Sequence, residues 1–600
     1  MTQENDFSSS RRHLILIVLT GLLLGLPGLG SSLLWDQDEG FYASVSREMH
    51  ERSDWIVPTF NQELFAHKPP VMYWGMMLGI RAFGLSEWSV RIVSVLMGIG
   101  TSLITYLIGR KLFPGRDGAT ASFYGALVLL SSIYFSVVSR SATADAHLTF
   151  FIAVSIWCWL SARGRRIVNT PNRKSPIVMW IGCYSAMGLA VLTKGPIGFL
   201  FPMTIIGWVT WRQVAQDDAG LKEADSWRRR WLGFLHPQYF FRALWEMKAV
   251  PGLVLILIVS APWYWAVEVQ SGGKFFAEFF GVHHWQRFSQ SMDNHSGPWF
   301  YYIAACVVGF YPWSTFAIPV GVHLFKSGSY ESRSFRFLYT WIAVYFIVFS
   351  MANTKLPNYV LPAYPAIALL IGSFVASWSR KEVFSSRWIA VGWIVLSLVG
   401  FVFLIPRFLL GGLELPEKIA VEQLRVLLDA LVWLAVPLMV TGLFGWFCYQ
   451  RNLMKMARQL FGTAAVIWIL VFWLRVVPVV DRYQGSQRLV KVVHQVSDNE
   501  RPQVVSYRCF RPSLVYYLGG RVEFAGESRQ LRRTCRQSDE TYVIMTKNDY
   551  EDSLFDARCA VETIDSRAQF PWQADLRLLK VTRKTSVADR LTKSSPIETR

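Results

Sequence analysis

Three carboxylates lie close together near the start of the chain, in the segment Trp35-Asp36-Gln37-Asp38-Glu39-Gly40. They follow an apolar run from Leu14 to about Leu34, which is long enough to cross a hydrocarbon core of about 30 Å. At the end of a membrane span, such carboxylates either lie in a solvated loop or cap a helix, or they line a lipid-accessible cavity. In a cavity, a carboxylate is suited to act as a general base or to stabilise a sugar cation.

Two further charged residues lie between apolar runs. Asp145 ends the segment Arg140-Ser141-Ala142-Thr143-Ala144-Asp145, where it either caps a helix or joins a polar site. Lys355 lies in Asn353-Thr354-Lys355-Leu356-Pro357-Asn358-Tyr359, beside a proline that predicts a helix start. A lysine at the membrane surface either extends its ammonium into water or binds a phosphate as a point charge. Several costly charges that converge from separate loops favour a functional site.

Three of the ten histidines, His283, His284 and His295, lie in one segment between apolar runs. Adjacent histidines are usually surface residues. Together with His67, they also offer imidazole ligands for a divalent metal.

The composition indicates a membrane protein. Of the 600 residues, 52% are hydrophobic and only 17% are charged, whereas a soluble domain carries about 25% charged residues. The net charge of +19 does not predict a nucleic-acid partner, because the basic residues are scattered between long apolar runs.

The apolar runs predict about thirteen transmembrane helices. Lys194-Gly195-Pro196 separates two of the runs, which form either two spans or one broken helix, and the charge pattern favours two. The first run predicts a retained signal anchor, since no convincing cleavage site follows it. The runs lie near residues 14 to 34, 88 to 109, 119 to 138, 146 to 162, 176 to 193, 196 to 211, 250 to 268, 299 to 325, 337 to 352, 357 to 378, 388 to 406, 426 to 449 and 460 to 478.

Basic residues are concentrated in alternate loops, which predicts a cytoplasmic N-terminus and, with an odd number of spans, a C-terminus outside. The acidic cluster then lies on the outer face. The predicted inside loops contain Arg110, Lys111 and Arg116, then Arg163, Arg165, Arg166, Arg173 and Lys174, then Arg228, Arg229 and Arg230, then Lys326, Arg333 and Arg336, then Arg380, Lys381 and Arg387, then Arg451, Lys455 and Arg458.

The first outer loop, residues 34 to 87, is too long to be a simple connection. We expect Tyr42 to Met49 to be helical. The aromatic residues Tyr73, Trp74 and Trp88 predict an interfacial helix that re-enters the bilayer.

Residues 480 to 600 predict a small extracytoplasmic α/β domain, which follows a membrane domain of residues 1 to 479. A polar, disordered tail is expected from about Ser586. Cys509, Cys535 and Cys559 allow one disulfide without indicating the pair, whereas the other four cysteines lie in apolar runs. The expected strands are Gln503 to Tyr507, Arg521 to Phe524, Tyr542 to Thr546 and Leu576 to Val581, and the expected helices are Ser486 to Val496 and Asp549 to Ala560.

The order and spacing of motifs resemble those of the GT-C membrane glycosyltransferases that use polyprenyl-phosphate sugars, and more narrowly the lipid A aminoarabinose transferase family, which is akin to protein O-mannosyltransferases. The matching residues are Asp38-Glu39, Tyr42, Ser46-Arg47-Glu48-Met49, Asp54-Trp55-Ile56-Val57-Pro58, Asn61, Lys68-Pro69-Pro70, Tyr73-Trp74, Phe83-Gly84, Arg91, Asp145, Thr193-Lys194-Gly195-Pro196, His284 to Phe288, His295 to Trp299, Lys355-Leu356-Pro357 and Tyr359.

The resemblance implies roles for individual residues. It implies that Asp38 is the essential acidic residue, with Glu39 beside it and Asp145 as a second acidic position in the cavity. It also implies donor-phosphate binding by Lys68, Lys355, Tyr359 and Arg287, and it offers His67 and His284 as ligands of a divalent metal.

Two departures concern the substrate. The family usually has an arginine shortly after the acidic pair, where this chain has Gly40 and Phe41, and a glutamate where this chain has His67. They weaken the inference of aminoarabinose and lipid A as substrates and leave the reaction class intact.

The sequence therefore predicts a bacterial inner-membrane glycosyltransferase. We expect it to move a sugar from undecaprenyl phosphate to a lipid or glycolipid such as lipid A, with inversion and without nucleic acid. Transfer to Ser or Thr of proteins, or non-enzymatic transport of a lipid-linked sugar, is the alternative. A transporter would more often show paired repeats or charges within the spans.

Overall fold

The computed structural model describes residues 2–163, 176–218, 236–286, 297–384, 386–409, 421–499, 501–551, 554–556, 558–567 and 575–584. The basic segments predicted at 165–174 and 228–230, and the tail predicted from Ser586, lie outside these residues. The membrane part is helical. Its longer helices are Thr2–Gly25, Glu87–Leu112, Gly115–Leu130, Ala144–Arg163, Ile177–Lys194, Ile197–Gln216, Ala249–Gln270, Arg333–Met351, Tyr364–Ser377, Arg387–Leu409, Val421–Gln450 and Met454–Val471.

Shorter helices connect or extend these. They are Asp38–Glu51, Val71–Phe83, Ile133–Arg140, Pro237–Glu246, Lys274–Phe276, Ala277–Gln286, Tyr301–Gly309, Trp313–Phe316, Ala317–Lys326, Ser329–Glu331, Pro357–Ala363, Lys381–Phe384, Phe472–Val476 and Val477–Asp481.

Nine helices in the described part of the chain are long and apolar enough to cross a membrane, and two bent helix pairs bring this number to eleven if each pair is one span. The chain is thus a multi-pass membrane protein. Two other runs that the sequence predicted as spans form Thr2–Gly25 and Ile197–Gln216, which are not among the eleven. The residues from Ile177 to Gln216 form two separate helices, as the charge pattern favoured.

Large aromatic side chains fill the interior of the helical bundle. Trp159, Trp341 and Trp393 are fully buried. In contrast, apolar side chains such as Val250 and Met351 are 76% exposed on the outer surfaces of candidate spans. Helices that are apolar all round and remain exposed on one side are suited to contact lipid.

The first outer loop folds into a compact unit. Its helix Asp38–Glu51, which we call the loop helix, confirms and extends the predicted helix from Tyr42 to Met49. Strands β1 (Thr59–Phe60) and β2 (Glu63–Leu64) then form an antiparallel hairpin, and helix Val71–Phe83 follows.

Glu48 fastens this hairpin to the loop helix. Its carboxylate accepts hydrogen bonds from the Thr59 hydroxyl at 2.6 Å and from the Asn61 backbone N–H at 2.7 Å. Burial nevertheless raises the pKa of Glu48 above its usual value, because desolvation outweighs these hydrogen bonds.

The C-terminal part contains a mixed five-stranded sheet. Its strands are β3 (Val504–Tyr507), β4 (Val522–Ala525), β5 (Glu540–Thr546), β6 (Cys559–Arg567) and β7 (Leu576–Arg583). Their order in the sheet is β4-β3-β5-β7-β6. Strand β3 is parallel to β4 and β5, and β7 is antiparallel to β5 and β6. Helices Ser486–Val496 and Ser513–Leu518 cover one face, and helix Ser528–Gln537 covers the other.

The four predicted strands coincide with β3, β4, β5 and β7, and the helix predicted at Ser486 to Val496 forms as expected. The helix predicted from Asp549 to Ala560 is wrong. There, a short 3₁₀ turn, Lys547–Asp549, comes first, and Cys559 begins strand β6. All seven cysteines lie within the described residues, and all are free thiols.

Candidate active site

The three carboxylates of the first loop have different surroundings. Asp38 is exposed at the start of the loop helix, and no described residue donates a hydrogen bond to it. Its charge acts on Tyr73, a fully buried residue whose hydroxyl has no hydrogen-bond partner among the described residues. Burial, and second the charge of Asp38, raise the pKa of Tyr73 well above its usual value, so the phenol stays protonated.

Glu39 is buried and paired with Arg91 from helix Glu87–Leu112. Arg91 donates to both carboxylate oxygens, at 2.7 and 2.9 Å, which is a bidentate ion pair. The backbone N–H groups of Ala142 and Trp35 also donate to the carboxylate, at 2.7 and 3.1 Å. Burial opposes the ionisation of Glu39, but Arg91 and these hydrogen bonds outweigh it, so its pKa lies below its usual value.

The contacts of Glu39 therefore favour a positioning role over the catalytic role implied by the resemblance. Arg91 extends this network because its guanidinium also donates to the carbonyls of Leu29, Ser32 and Leu33 at 2.7 to 3.0 Å. The network ties the loop helix to the first apolar segment and to the segment before Asp145.

Asp36 points in another direction, towards the C-terminal domain. It accepts hydrogen bonds from the Ser513 hydroxyl at 2.5 Å and from Arg511 at 3.0 Å. No local pattern predicts this partner, because hundreds of residues separate the two segments.

Asp145 joins two other segments of the chain. Lys194 donates to one oxygen of Asp145 at 2.5 Å, and Asn358 donates to the other at 3.1 Å. The Lys194 ammonium also lies 5.6 Å from the centre of the Tyr359 ring. Asp145 and Tyr359, both predicted from the sequence, thus lie in one cluster.

Lys194 was not predicted as a site residue, although it belongs to the matching segment Thr193-Lys194-Gly195-Pro196. The signal that could have found it is a lysine at the end of an otherwise apolar span, where a charge is costly without a partner.

Lys355 is buried, and its ammonium donates to the carbonyls of Ser350 and Ala352 at 3.1 and 2.8 Å. Its side chain passes Gly297, next to Tyr301. The charges of Asp145 and, more weakly, Asp38 both act on the Tyr134 hydroxyl.

Lys68 and His67 lie on the first outer loop. The Lys68 ammonium is 3.3 Å from the carbonyl of His67. The His67 ring stacks on Phe65 with the ring centres 3.8 Å apart. Their assignment to phosphate and metal binding stays a prediction.

Arg287 and the side chain of His284 lie outside the described part of the structure. Within the described ranges, no group of three His, Cys, Asp or Glu side chains is arranged to hold a metal ion.

Comparisons with known proteins agree with this architecture. Residues 67–218 match a family model described as dolichyl-phosphate-mannose-protein mannosyltransferase. Most of the chain, 96%, superimposes on 98% of the crystal structure of ArnT from Cupriavidus metallidurans bound to undecaprenyl phosphate, with a TM-score of 0.73 and 21% sequence identity. The chain has the fold of ArnT.

Two similar proteins carry the names of transferases. The undecaprenyl phosphate-alpha-4-amino-4-deoxy-L-arabinose arabinosyl transferase 2 of Proteus mirabilis is 29% identical over 62% of this chain and 61% of its own length. A transferase of Pseudomonas aeruginosa with the corresponding name is 30% identical over 60% of this chain and 58% of its own length. The chain thus matches less than two thirds of the length of each of these two relatives. Together with the fold, the matches confirm the resemblance to GT-C membrane glycosyltransferases.

Proposed function

We propose that the protein is a glycosyltransferase that moves a sugar from undecaprenyl phosphate to a lipid or glycolipid acceptor such as lipid A. The observation that carries the proposal is the different surroundings of the carboxylates in the acidic cluster. Asp36 and Glu39 are held by structural partners, whereas Asp38 is exposed and accepts no hydrogen bond from the described residues. The fold of ArnT supports the same reaction class.

In the proposed reaction, the donor phosphate binds against Lys68, Lys355 and Arg287, with Tyr359 nearby. Asp38 takes the proton of the acceptor hydroxyl while the oxygen of that hydroxyl attacks the anomeric carbon of the sugar. The bond between that carbon and the phosphate oxygen breaks, and its electron pair stays on the phosphate. The lysines stabilise the charge that develops on the leaving group, and a single displacement inverts the anomeric centre.

We propose that Asp145 and Lys194 set the shape and the charge balance of the donor site. Their buried pair compensates two charges that would be costly alone. Tyr359 and Asn358 then hold the segment of Lys355 beside this pair.

The test is transfer from a purified undecaprenyl-phosphate sugar by Asp38→Asn. A general base contributes about 10²- to 10⁴-fold to a rate, so we expect a loss of this size in kcat with little change in donor binding. Glu63→Gln is the matched control, since Glu63 is a highly exposed carboxylate of the same loop. Wild-type activity in Asp38→Asn would refute the assignment.

The family model over residues 67–218 favours a second candidate, transfer to Ser or Thr of secreted proteins. Mass spectrometry of a deletion strain separates the candidates. Loss of a glycolipid modification supports the first, and loss of protein O-glycans supports the second. A lipid-sugar transporter would instead retain its function in Asp38→Asn.

We further propose that Thr2–Gly25 and Ile197–Gln216 also cross the bacterial inner membrane, which gives thirteen spans. The N-terminus is then cytoplasmic, and the C-terminal domain, residues 480 to 600, is periplasmic, on the same side as the first outer loop. The contacts of Asp36 with Arg511 support this arrangement, because they require both parts on one side.

A further inference from the structure

The C-terminal domain contacts the chain on both sides of Asp38. Two residues before it, Asp36 accepts hydrogen bonds from Arg511 at 3.0 Å, from the Ser513 backbone N–H at 3.2 Å and from the Ser513 hydroxyl at 2.5 Å. The side chains of Asp36 and Arg511 are mostly buried in this contact.

Two residues after Asp38, the backbones of the two parts touch. A Cβ atom at Gly40 would lie 2.6 Å from the backbone nitrogen of Ser513. This distance is too short for any side chain, so a glycine is required here. The Ser44 hydroxyl, one turn later in the loop helix, also lies 3.3 Å from the carbonyl of Pro512.

The residue between Asp36 and Asp38 has a strained backbone. Gln37 has a φ of 76° and a ψ of −115°, a conformation that residues other than glycine rarely adopt. Such a conformation persists where the surrounding structure holds it in place. Here Asp36 is held by Arg511 and Ser513, and Glu39 is held by Arg91.

We propose that Arg511 and Ser513 are positioning residues for Asp38. The C-terminal domain holds the turn from Asp36 to Gly40 in the conformation that leaves the Asp38 carboxylate exposed. The inference rests on the proposed function of Asp38, and it makes the C-terminal domain part of the catalytic unit.

Other contacts keep the domain attached when the Arg511 pair is removed. The Asn61 side chain bonds to both the N–H and the carbonyl of Val522, at 2.9 and 2.8 Å. The Tyr517 hydroxyl accepts from the backbone N–H of Leu34 at 2.9 Å. A change at Arg511 therefore tests the turn separately from the docking of the domain.

The first measurement compares Arg511→Ala with Arg536→Ala in the full chain. Arg536 forms an ion pair with Asp556 at 2.8 Å in the same domain, and its side chain is more exposed than that of Arg511. We expect kcat to fall at least tenfold in Arg511→Ala, with the donor KM within twofold of the wild type, and both constants to be unchanged in Arg536→Ala. Equal kcat values in the two variants would overturn the proposal.

The second measurement adds Gln37→Gly to Arg511→Ala. Glycine adopts a positive φ without a steric penalty, so the turn no longer depends on its anchor. We expect the double variant to recover about fivefold in kcat, which corresponds to the cost of a left-handed residue of about 1 kcal/mol. A loss that Gln37→Gly does not reduce would mean that Arg511 acts only through general stability, contrary to the proposal.

Hydrogen exchange distinguishes a failure of this inference from a failure of the proposed function. We expect the amides of residues 36–40 to exchange faster in Arg511→Ala than in Arg536→Ala, whatever the reaction is. If the wild type transfers no sugar, the proposed function fails and exchange alone decides the inference. Equal exchange in both variants would overturn it.

Discussion

At the scale of single residues, the candidate site contains one buried ion pair and one mostly buried ion pair, with different surroundings. Glu39 and Arg91 are joined in a bidentate pair, and backbone N–H groups and carbonyls occupy their remaining hydrogen-bonding positions. Asp145 and Lys194 are joined by one charged hydrogen bond, and the Lys194 ammonium also lies near the Tyr359 ring. The first pair is therefore rigidly held, whereas fewer hydrogen bonds fix the second.

Removal of Arg91 should destabilise the protein strongly. Arg91→Met leaves Glu39 buried without its counter-ion, and loss of one partner of a buried pair costs about 3 to 5 kcal/mol. Thermal unfolding in detergent measures the effect. Arg52→Ala is the control, because the ion pair of Arg52 with Asp54 is much more exposed than the Arg91 pair and should contribute about 0 to 1 kcal/mol. Equal melting temperatures of the two variants would contradict the assignment of Arg91.

The stability contributed by Glu39 should depend on pH. Its folded pKa lies below that of an unfolded glutamate, about 4.3, so the unfolded state binds more protons in the range between the two values. The contribution is complete above the unfolded pKa and is lost as the pH falls through the folded pKa. The stability difference between wild type and Glu39→Gln should therefore be largest near neutral pH and shrink below about pH 4.3. Unfolding curves of both proteins at several pH values test this, and a constant difference would count against it.

The sequence identified Asp38, Asp145, Lys355 and Tyr359 as candidates, and the structure brings Asp145 and Tyr359 into one cluster. The sequence did not separate the roles of Asp38 and Glu39. Neighbouring residues on a helix face different directions, but the sequence does not show which partner lies on each side. Lys194 lies 49 residues from Asp145 along the chain, and no local pattern predicts such a pair.

At the scale of elements, helices Val71–Phe83 and Glu87–Leu112 approach each other closely at Gly79. A Cβ atom at this position would lie 2.1 Å from the backbone oxygen of Ser89. A backbone atom cannot move away as a flexible side chain can. The packing of the first outer loop on the bundle therefore depends on this glycine.

Gly79→Ala should destabilise the protein by about 1 to 3 kcal/mol, the usual cost of overpacking. Gly321→Ala is the matched control, because Gly321 also lies in a helix and has no atom within 4 Å of its Cβ position. Chemical unfolding in detergent should show a loss only for Gly79→Ala. The prediction is wrong if both variants unfold at the same denaturant concentration.

Most elements followed from sequence patterns, because long apolar runs and short alternating segments produce strong signals. The errors are in the C-terminal domain. Strand β6 is at the edge of the sheet and none of its residues is buried, so it lacks the apolar alternation of a half-buried strand. Helix Ser513–Leu518 has only 6 residues, too few for a helical period to be recognised.

At the scale of the whole molecule, the C-terminal domain completes the first outer loop. Truncation after residue 484 removes Arg511 and Ser513 and the carbonyl of Tyr516 that accepts from Arg47. We expect the truncated protein to insert into the membrane and to lose transfer activity. Removal of residues 586–600 alone is the control and should leave activity intact. Membrane fractionation measures insertion, and a transfer assay measures activity. An active truncated protein would show that the first outer loop does not need the C-terminal domain.

The contact between Asp36 and Arg511 joins residues that are 475 positions apart. At about 5 to 20 residues per second, a ribosome takes about 25 to 95 seconds to make the intervening chain. In the proposed orientation, the loop reaches the outer face before the residues that shape its turn have been made. Under the proposed function, each nascent chain then carries an unfinished site until Arg511 and Ser513 have been synthesised, and a product released before that point should not transfer sugar.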